Sequence, residues 1–64
     1  HEKLSERELQ VFQRIAAGQS LVRIGAALNL RPNTVTSYRA RILKKMKMAC
    51  NAELTRYALE LGML

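Results

Sequence analysis

The residues with the clearest chemical signature are six basic side chains between positions 31 and 47, a stretch without any acidic residue. They are Arg31, Arg39, Arg41, Lys44, Lys45 and Lys47. They account for the whole formal net charge of +6, because the charges in the rest of the chain balance one another. A local excess of one sign attracts a polyanion such as nucleic acid or an anionic membrane surface. Binding to a polyanion is therefore the first hypothesis, with a solvated helix face as the alternative.

The residues that an enzyme or a metal site would need are scarce. The only histidine is His1 and the chain has no aspartate, so a Ser-His-Asp triad cannot be assembled. One histidine and one cysteine, Cys50, cannot form a zinc site, and there is no glycine-rich phosphate loop. Glu8 resembles a functional acid, but its position three residues after Ser5 is explained by helix capping. We therefore predict no enzyme activity, no metal site and no cofactor.

Length and composition limit the chain to one small domain. Its 64 residues leave no room for a deep catalytic pocket, whereas 48% hydrophobic residues suffice for one core. The single cysteine excludes an internal disulfide and fits a reducing cytoplasm. No apolar run approaches the roughly 18 residues of a membrane span, and no signal peptide is recognisable. We therefore expect a cytoplasmic domain at residues 4–64 that does not enter a membrane, with residues 1–3 as terminal residues outside it.

The first predicted helix covers about residues 5–17. Ser5 and Glu8 form a capping box at its start, and Gly18 suits the left-handed backbone that follows its end. Apolar residues then recur at helical spacing and predict a buried stripe. The stripe consists of Val11, Phe12, Ile15 and Ala16.

The second predicted helix, at about residues 20–28, begins at Ser20 as its cap. Gly25 in its middle indicates the close approach of another helix. Asn29 tolerates the left-handed backbone at a helix end, and Pro32 suits the first position of the next helix. The short connection predicts a helix-turn-helix. The residues expected to face inward are Leu21, Ile24, Ala27, Leu28 and, in the turn, Leu30.

The third predicted helix, at about residues 32–46, contains the basic cluster. With about 100° of rotation per residue, its inner side holds Val35, Ile42 and Met46, flanked by Tyr38 and Arg39. Its outer side holds Asn33, Thr36, Ser37, Ala40, Arg41 and Lys44. The outer side is small near the N-terminus and basic toward the C-terminus. A helix in the DNA major groove needs this arrangement, with short side chains near the bases and long cations near the phosphates.

The fourth predicted helix, at about residues 51–61, has Glu53 at its third position and Gly62 after its end. Its apolar stripe consists of Leu54, Tyr57, Ala58 and Leu61. Within one domain this stripe closes the core, and any apolar surface left over could pair with a second copy. The predicted fold is therefore all-α, a compact four-helix domain with a central helix-turn-helix.

These motifs together resemble the LuxR-type (NarL/FixJ) helix-turn-helix domain of bacterial transcription regulators, from Leu4 to Leu64. The matching segments are Leu4-Ser5-x-Arg7-Glu8, Ile15-Ala16-x-Gly18, Ile24 with Leu28-x-Leu30, Pro32-x-Thr34-Val35, Tyr38-Arg39-x-Arg41-Ile42-x-x-Lys45 and Ala52-Glu53-Leu54. The match is specific because the spacing holds across all four helices. The segment from Thr34 to Ile42 looks most like the response regulators of two-component systems.

The resemblance implies sequence-specific binding to double-stranded DNA, with the third helix in the major groove. It also implies a homodimer on inverted or direct half-sites, paired through Leu54, Tyr57, Ala58 and Leu61. A receiver or sensor domain that lies outside this chain would carry the signal, and RNA polymerase is a further candidate partner. Two alternatives are a sigma-factor-like promoter-binding module and a helical interaction module that docks an acidic protein.

The resemblance and the helical wheel together select the predicted contacts to DNA. Base edges are assigned to Thr36, Ser37 and Ala40, followed by Asn33 and Arg41. Phosphates are assigned to Thr34, Lys44 and Lys45. Three residues keep two interpretations each. Arg41 contacts a base or a phosphate, Arg39 forms a structural ion pair or contacts DNA, and Tyr38 reaches a phosphate through its hydroxyl or only packs.

Several residues depart from the family pattern at helix ends. Arg31 stands where a Ser or Thr usually caps the third helix, and a phosphate contact could replace that cap. Lys47 stands where Gly usually ends the third helix, and Cys50 where Ser usually caps the fourth. Val22 and Arg23 replace a common Lys and Glu. The DNA sequence preference therefore cannot be copied from relatives.

Overall fold

The computed structural model describes residues 3–62, in which four helices and no strand are present. They are α1 (Glu6–Ala16), α2 (Leu21–Leu28), α3 (Pro32–Met46) and α4 (Asn51–Glu60). The all-α prediction is confirmed, and each predicted helix end agrees with the structure within one residue. Residues 63 and 64, which the predicted domain includes, and residues 1 and 2 of the predicted terminal segment lie outside the described residues.

Local side-chain caps begin the first two helices but not the last two. Ser5 Oγ accepts the backbone N–H of Glu8 at 3.2 Å, and Glu8 Oε1 accepts the N–H of Ser5 at 2.8 Å. Ser20 Oγ likewise accepts the N–H of the third residue of α2 at 3.1 Å. Arg31 and Cys50 occupy the N-cap positions of α3 and α4 without any side-chain capping bond.

The turn between α2 and α3 is held by backbone geometry. Asn29 adopts the predicted left-handed conformation with φ of 58°, and the N–H of Leu30 donates to the Gly25 carbonyl at 2.7 Å. A Cβ at Gly25 would lie 2.5 Å from the Leu30 carbonyl oxygen. The group that comes closest to Gly25 is therefore the turn backbone rather than another helix, which corrects our interpretation of this glycine.

The core lies between α1 and the three helices that it contacts, and α2 also packs on α3. Its buried hydrophobic residues are Val11, Phe12, Ile15, Ala16, Ile24, Val35, Ile42, Leu54 and Ala58. The predicted stripe of α1 is confirmed. On α2 the inward prediction is wrong for Ala27, which is exposed. The buried face of this short helix is centred between Ile24 and Gly25, which turns Ala27 toward solvent.

Candidate nucleic-acid interface

One face of α3 is anchored in the core while the opposite face is open to solvent. Val35 and Ile42 are fully buried. All six residues predicted for the outer side are exposed, namely Asn33, Thr36, Ser37, Ala40, Arg41 and Lys44. Thr34, a predicted phosphate contact in the first turn of α3, is half-buried. The packing therefore presents the outer side of α3 as a fixed, accessible surface.

Two hydroxyls on this surface are oriented by their own helix. Thr36 Oγ1 donates to the Pro32 carbonyl and Ser37 Oγ donates to the Asn33 carbonyl, both at 3.1 Å. Because each proton is engaged in the helix, the oxygen lone pairs remain to accept a hydrogen bond from outside. The N-terminal half of the surface thus offers short side chains with acceptors and, at Thr36, a methyl group.

A cation–π contact organises the basic half of the surface. The guanidinium carbon of Arg41 lies 4.8 Å from the ring centroid of Tyr38. Tyr38 is half-buried and packs against the core, whereas Arg41 is exposed. Packing therefore accounts for the Tyr38 ring, and that ring in turn supports the guanidinium of Arg41.

Arg39 joins α3 to the start of α4. Its Nε donates to Asn51 Oδ1 at 2.7 Å, and the side chain is half-exposed. The structural partner is thus a neutral amide and not the carboxylate of the ion pair that we considered. Asn51 was not expected to matter from the sequence, because no local pattern connects residues so far apart.

Lys45 forms an ion pair with Glu8 across the domain. Lys45 Nζ donates to Glu8 Oε1 at 2.7 Å, and the Glu8 side chain is only 3% exposed. The hydrogen bond from Lys45, followed by that from the Ser5 backbone, lowers the pKa of Glu8 to about 2 despite its burial. Sequence reasoning assigned Lys45 to phosphate and Glu8 to capping alone, and missed their contact. Lys45 therefore has a structural partner that any phosphate would compete with.

Two further basic residues, outside the predicted contact set, flank the surface. Arg31 is exposed at the N-cap of α3, and Lys47 is exposed just after its end with φ of 57°. Both belong to the basic cluster identified in the sequence, where a phosphate contact was considered for Arg31, but neither was among the predicted DNA contacts. They extend the positive charge to both ends of α3.

The predicted dimerisation stripe of α4 is divided by the structure. Leu54 and Ala58 are fully buried in the domain's own core and have no surface to offer a second copy, which corrects that part of the prediction. Tyr57 is half-buried and meets Phe12 edge-on, with 6.1 Å between ring centroids. Leu61 is 51% exposed. Leu59, which was not predicted, is 61% exposed on the same helix.

Within residues 3–62, no group of three or more His, Cys, Asp and Glu side chains is placed to hold a metal ion. None of the helices described in that range has the length and apolar character needed to cross a membrane.

Comparisons with known proteins agree with this geometry. Residues 2–58 match the family described as "Bacterial regulatory proteins, luxR family". The chain is 45% identical over 60 residues to the response regulator UvrY of Escherichia coli, with 94% of this chain and 28% of the relative covered. It is 42% identical to the response regulator GacA of Pseudomonas protegens, again covering 94% of this chain and 28% of the relative.

A more distant relative is the transcriptional regulatory protein FixJ of Bradyrhizobium diazoefficiens, at 39% identity over 61 residues, covering 95% of this chain and 30% of the relative. The chain thus spans less than a third of the length of these curated relatives. No solved structure gives a significant match. The family match covers most of the chain and agrees with the four-helix fold and the exposed basic α3. The chain therefore belongs to the luxR family of bacterial regulatory proteins, a membership that implies DNA-binding transcription regulation.

Proposed function

We propose that this domain binds double-stranded DNA sequence-specifically, with α3 in the major groove. The observation that carries the proposal is the two-sided character of α3. Its inner face is held rigidly by Val35 and Ile42, while its outer face combines short side chains with basic ones. Rigid support matters because base readout requires side chains at defined positions relative to the base edges.

The proposed base contacts are Thr36, Ser37 and Ala40, with Asn33 beside them. The Thr36 methyl and Ala40 suit a thymine methyl group, and the hydroxyl lone pairs suit an amino group of adenine or cytosine. The proposed phosphate contacts are Thr34, Lys44 and Lys45. Lys45 would have to exchange Glu8 for a phosphate.

We further propose that two copies bind neighbouring half-sites through the exposed side of α4. Leu61, just after α4, is 51% exposed and lies within about 40° of half-buried Tyr57 on the same side of the helix. Exposed Leu59 lies on the opposite side of α4 and is not part of this surface. Because the relatives are response regulators about three times longer than this chain, a receiver domain outside it would supply the signal. We place this activity in the cytoplasm, where bacterial DNA lies, with RNA polymerase as a candidate partner of the DNA-bound regulator.

The proposal is tested by fluorescence anisotropy of labelled duplexes, after selection of preferred sites from a randomised pool. We expect one short half-site to be enriched, and affinity to fall steeply with salt. Lys44→Ala should weaken binding to all sequences and lower the salt slope by about 0.9. The matched control is Arg56→Ala, which removes the same charge from α4, where Arg56 pairs with Glu60. On a single half-site this control should leave affinity within about twofold.

The outcomes separate the alternatives. A folded domain that binds no duplex at low salt would contradict the proposal and favour an acidic protein partner. Binding without enrichment of any sequence would contradict base readout. For the dimer, Leu61→Gln should reduce occupancy of a two-half-site duplex in sedimentation experiments, whereas Val22→Gln, at an exposed apolar residue of α2, should not.

A further inference from the structure

Tyr38 and Arg41 are in contact on the exposed basic surface. At 4.8 Å from the ring centroid, the guanidinium lies within the range of a cation–π interaction. Among the described residues the ion pairs are Lys45–Glu8 and Arg56–Glu60, so no carboxylate competes for Arg41. Its planar donors therefore stay available to a ligand while its aliphatic chain is held in place.

The direction of this contact decides which part of DNA Arg41 would meet. Ala40 lies at the centre of the outer face of α3, and Arg41 lies about 100° around the helix from it. Tyr38 lies about 60° beyond Arg41 in the same direction, closer to the core. The ring thus draws the guanidinium away from the centre and toward one edge. Thr34, two turns earlier, lies within about 20° of Arg41 on that same edge.

When a helix occupies the major groove, the centre of its outer face meets base edges and its flanks meet the sugar-phosphate backbone. We infer that Arg41 is a sequence-independent phosphate contact and that Tyr38 is the positioning residue that holds it at the edge of α3. The inference rests on the proposed function and replaces the open choice between base and phosphate. Tyr38 acts through Arg41, and its hydroxyl is not required.

The energetic role of Tyr38 is to order the arginine before DNA arrives. A long side chain that is immobilised on binding costs entropy, and an aromatic support reduces that cost in advance. Loss of the ring should therefore weaken DNA binding about two- to tenfold, but only while Arg41 is present.

The test is a double-mutant cycle on this domain with Tyr38→Leu, Arg41→Ala and the double variant, with Tyr38→Phe as the conservative control. Anisotropy is measured on the selected duplex and on a scrambled one, across a salt series. Arg41→Ala should weaken both duplexes equally, roughly tenfold, and lower the salt slope by about 0.9. Tyr38→Leu should weaken both duplexes less, and should cost nothing further in the Arg41→Ala background. Tyr38→Phe should bind as the unmodified domain does.

Three results would overturn the inference. Arg41→Ala could change which base is preferred at one position, which would make Arg41 a base contact. Tyr38→Leu could cost the same in both backgrounds, so that the two residues act independently. Tyr38→Phe could lose as much as Tyr38→Leu, which would assign the effect to the hydroxyl.

A second readout needs no DNA and separates this inference from the proposed function. In the free domain, the Arg41 side-chain protons should show an upfield ring-current shift by NMR, preserved in Tyr38→Phe and lost in Tyr38→Leu. The same spectra show whether each variant is folded. Absence of the shift in the folded, unmodified domain would refute the positioning role even if the domain binds DNA. If the expected upfield ring-current shift is present but the domain binds no DNA, the proposed function is refuted, and with it the phosphate contact.

Discussion

The pair formed by Glu8 and Lys45 predicts how the stability of this domain depends on pH. The carboxylate is almost fully buried, and the hydrogen bonds from Lys45 and from the Ser5 backbone lower its pKa from 4.5 to about 2. A pKa that is lowered in the folded state adds stability above the unfolded value, and that stability is lost as pH falls through the folded value. The relevant window is therefore pH 4.5 to about 2.

The size of the effect follows from the same shift. Moving the pKa from 4.5 to about 2 corresponds to roughly 3 kcal/mol at neutral pH. The Lys45 side chain is 42% exposed, so water screens the pair and reduces this value. For Glu8→Gln, which retains an oxygen for the Ser5 N–H, we expect a loss of about 1–2 kcal/mol at pH 7. For a domain of this size that lowers Tm by roughly 5–15 °C.

The assay is urea unfolding followed by circular dichroism from pH 7 to pH 2, with the variant compared with the unmodified domain at each pH. The stability difference should be constant above pH 5 and should shrink toward zero near pH 2. The matched control is Glu60→Gln, which breaks the exposed ion pair with Arg56 and should cost less than about 0.5 kcal/mol. A Glu8→Gln difference that is absent at pH 7, or that persists unchanged at pH 2, would refute this reasoning.

Three further substitutions, two at helix ends and one inside α2, should change stability in directions that urea unfolding can measure. Cys50→Ser adds the missing side-chain cap of α4 and should stabilise the domain by about 0.5–1 kcal/mol, and the absence of any gain would contradict this prediction. Lys47→Gly removes the strain of a left-handed backbone at a non-glycine residue and should stabilise the domain by about 1 kcal/mol. A loss of stability in this variant would contradict the prediction. Gly25→Ala places a Cβ against the turn carbonyl and should destabilise the domain by roughly 2 kcal/mol. A gain in stability, as alanine usually gives over glycine inside a helix, would contradict this prediction.

The helices and their ends were predictable because the groups that set them are close in sequence. The capping box at Ser5 and Glu8 and the left-handed residue Asn29 involve atoms within four residues of each other. The outer side of α3 was predictable for the same reason, since helical rotation alone orders it once one face is apolar. The basic cluster between positions 31 and 47 was identified by counting charged residues along the sequence.

The tertiary structure decided which distant residues meet. The partner of Lys45 is 37 residues away, and that of Arg39 is 12 residues away, so neither follows from periodicity. On α4, periodicity identified an apolar stripe but not which of its residues would be buried in the core. Burial of Leu54 and Ala58, and exposure of Leu59, depend on the rotation of α4 against α1. Sequence patterns define the faces of each helix, whereas the packing of all four helices determines which faces remain exposed for a partner.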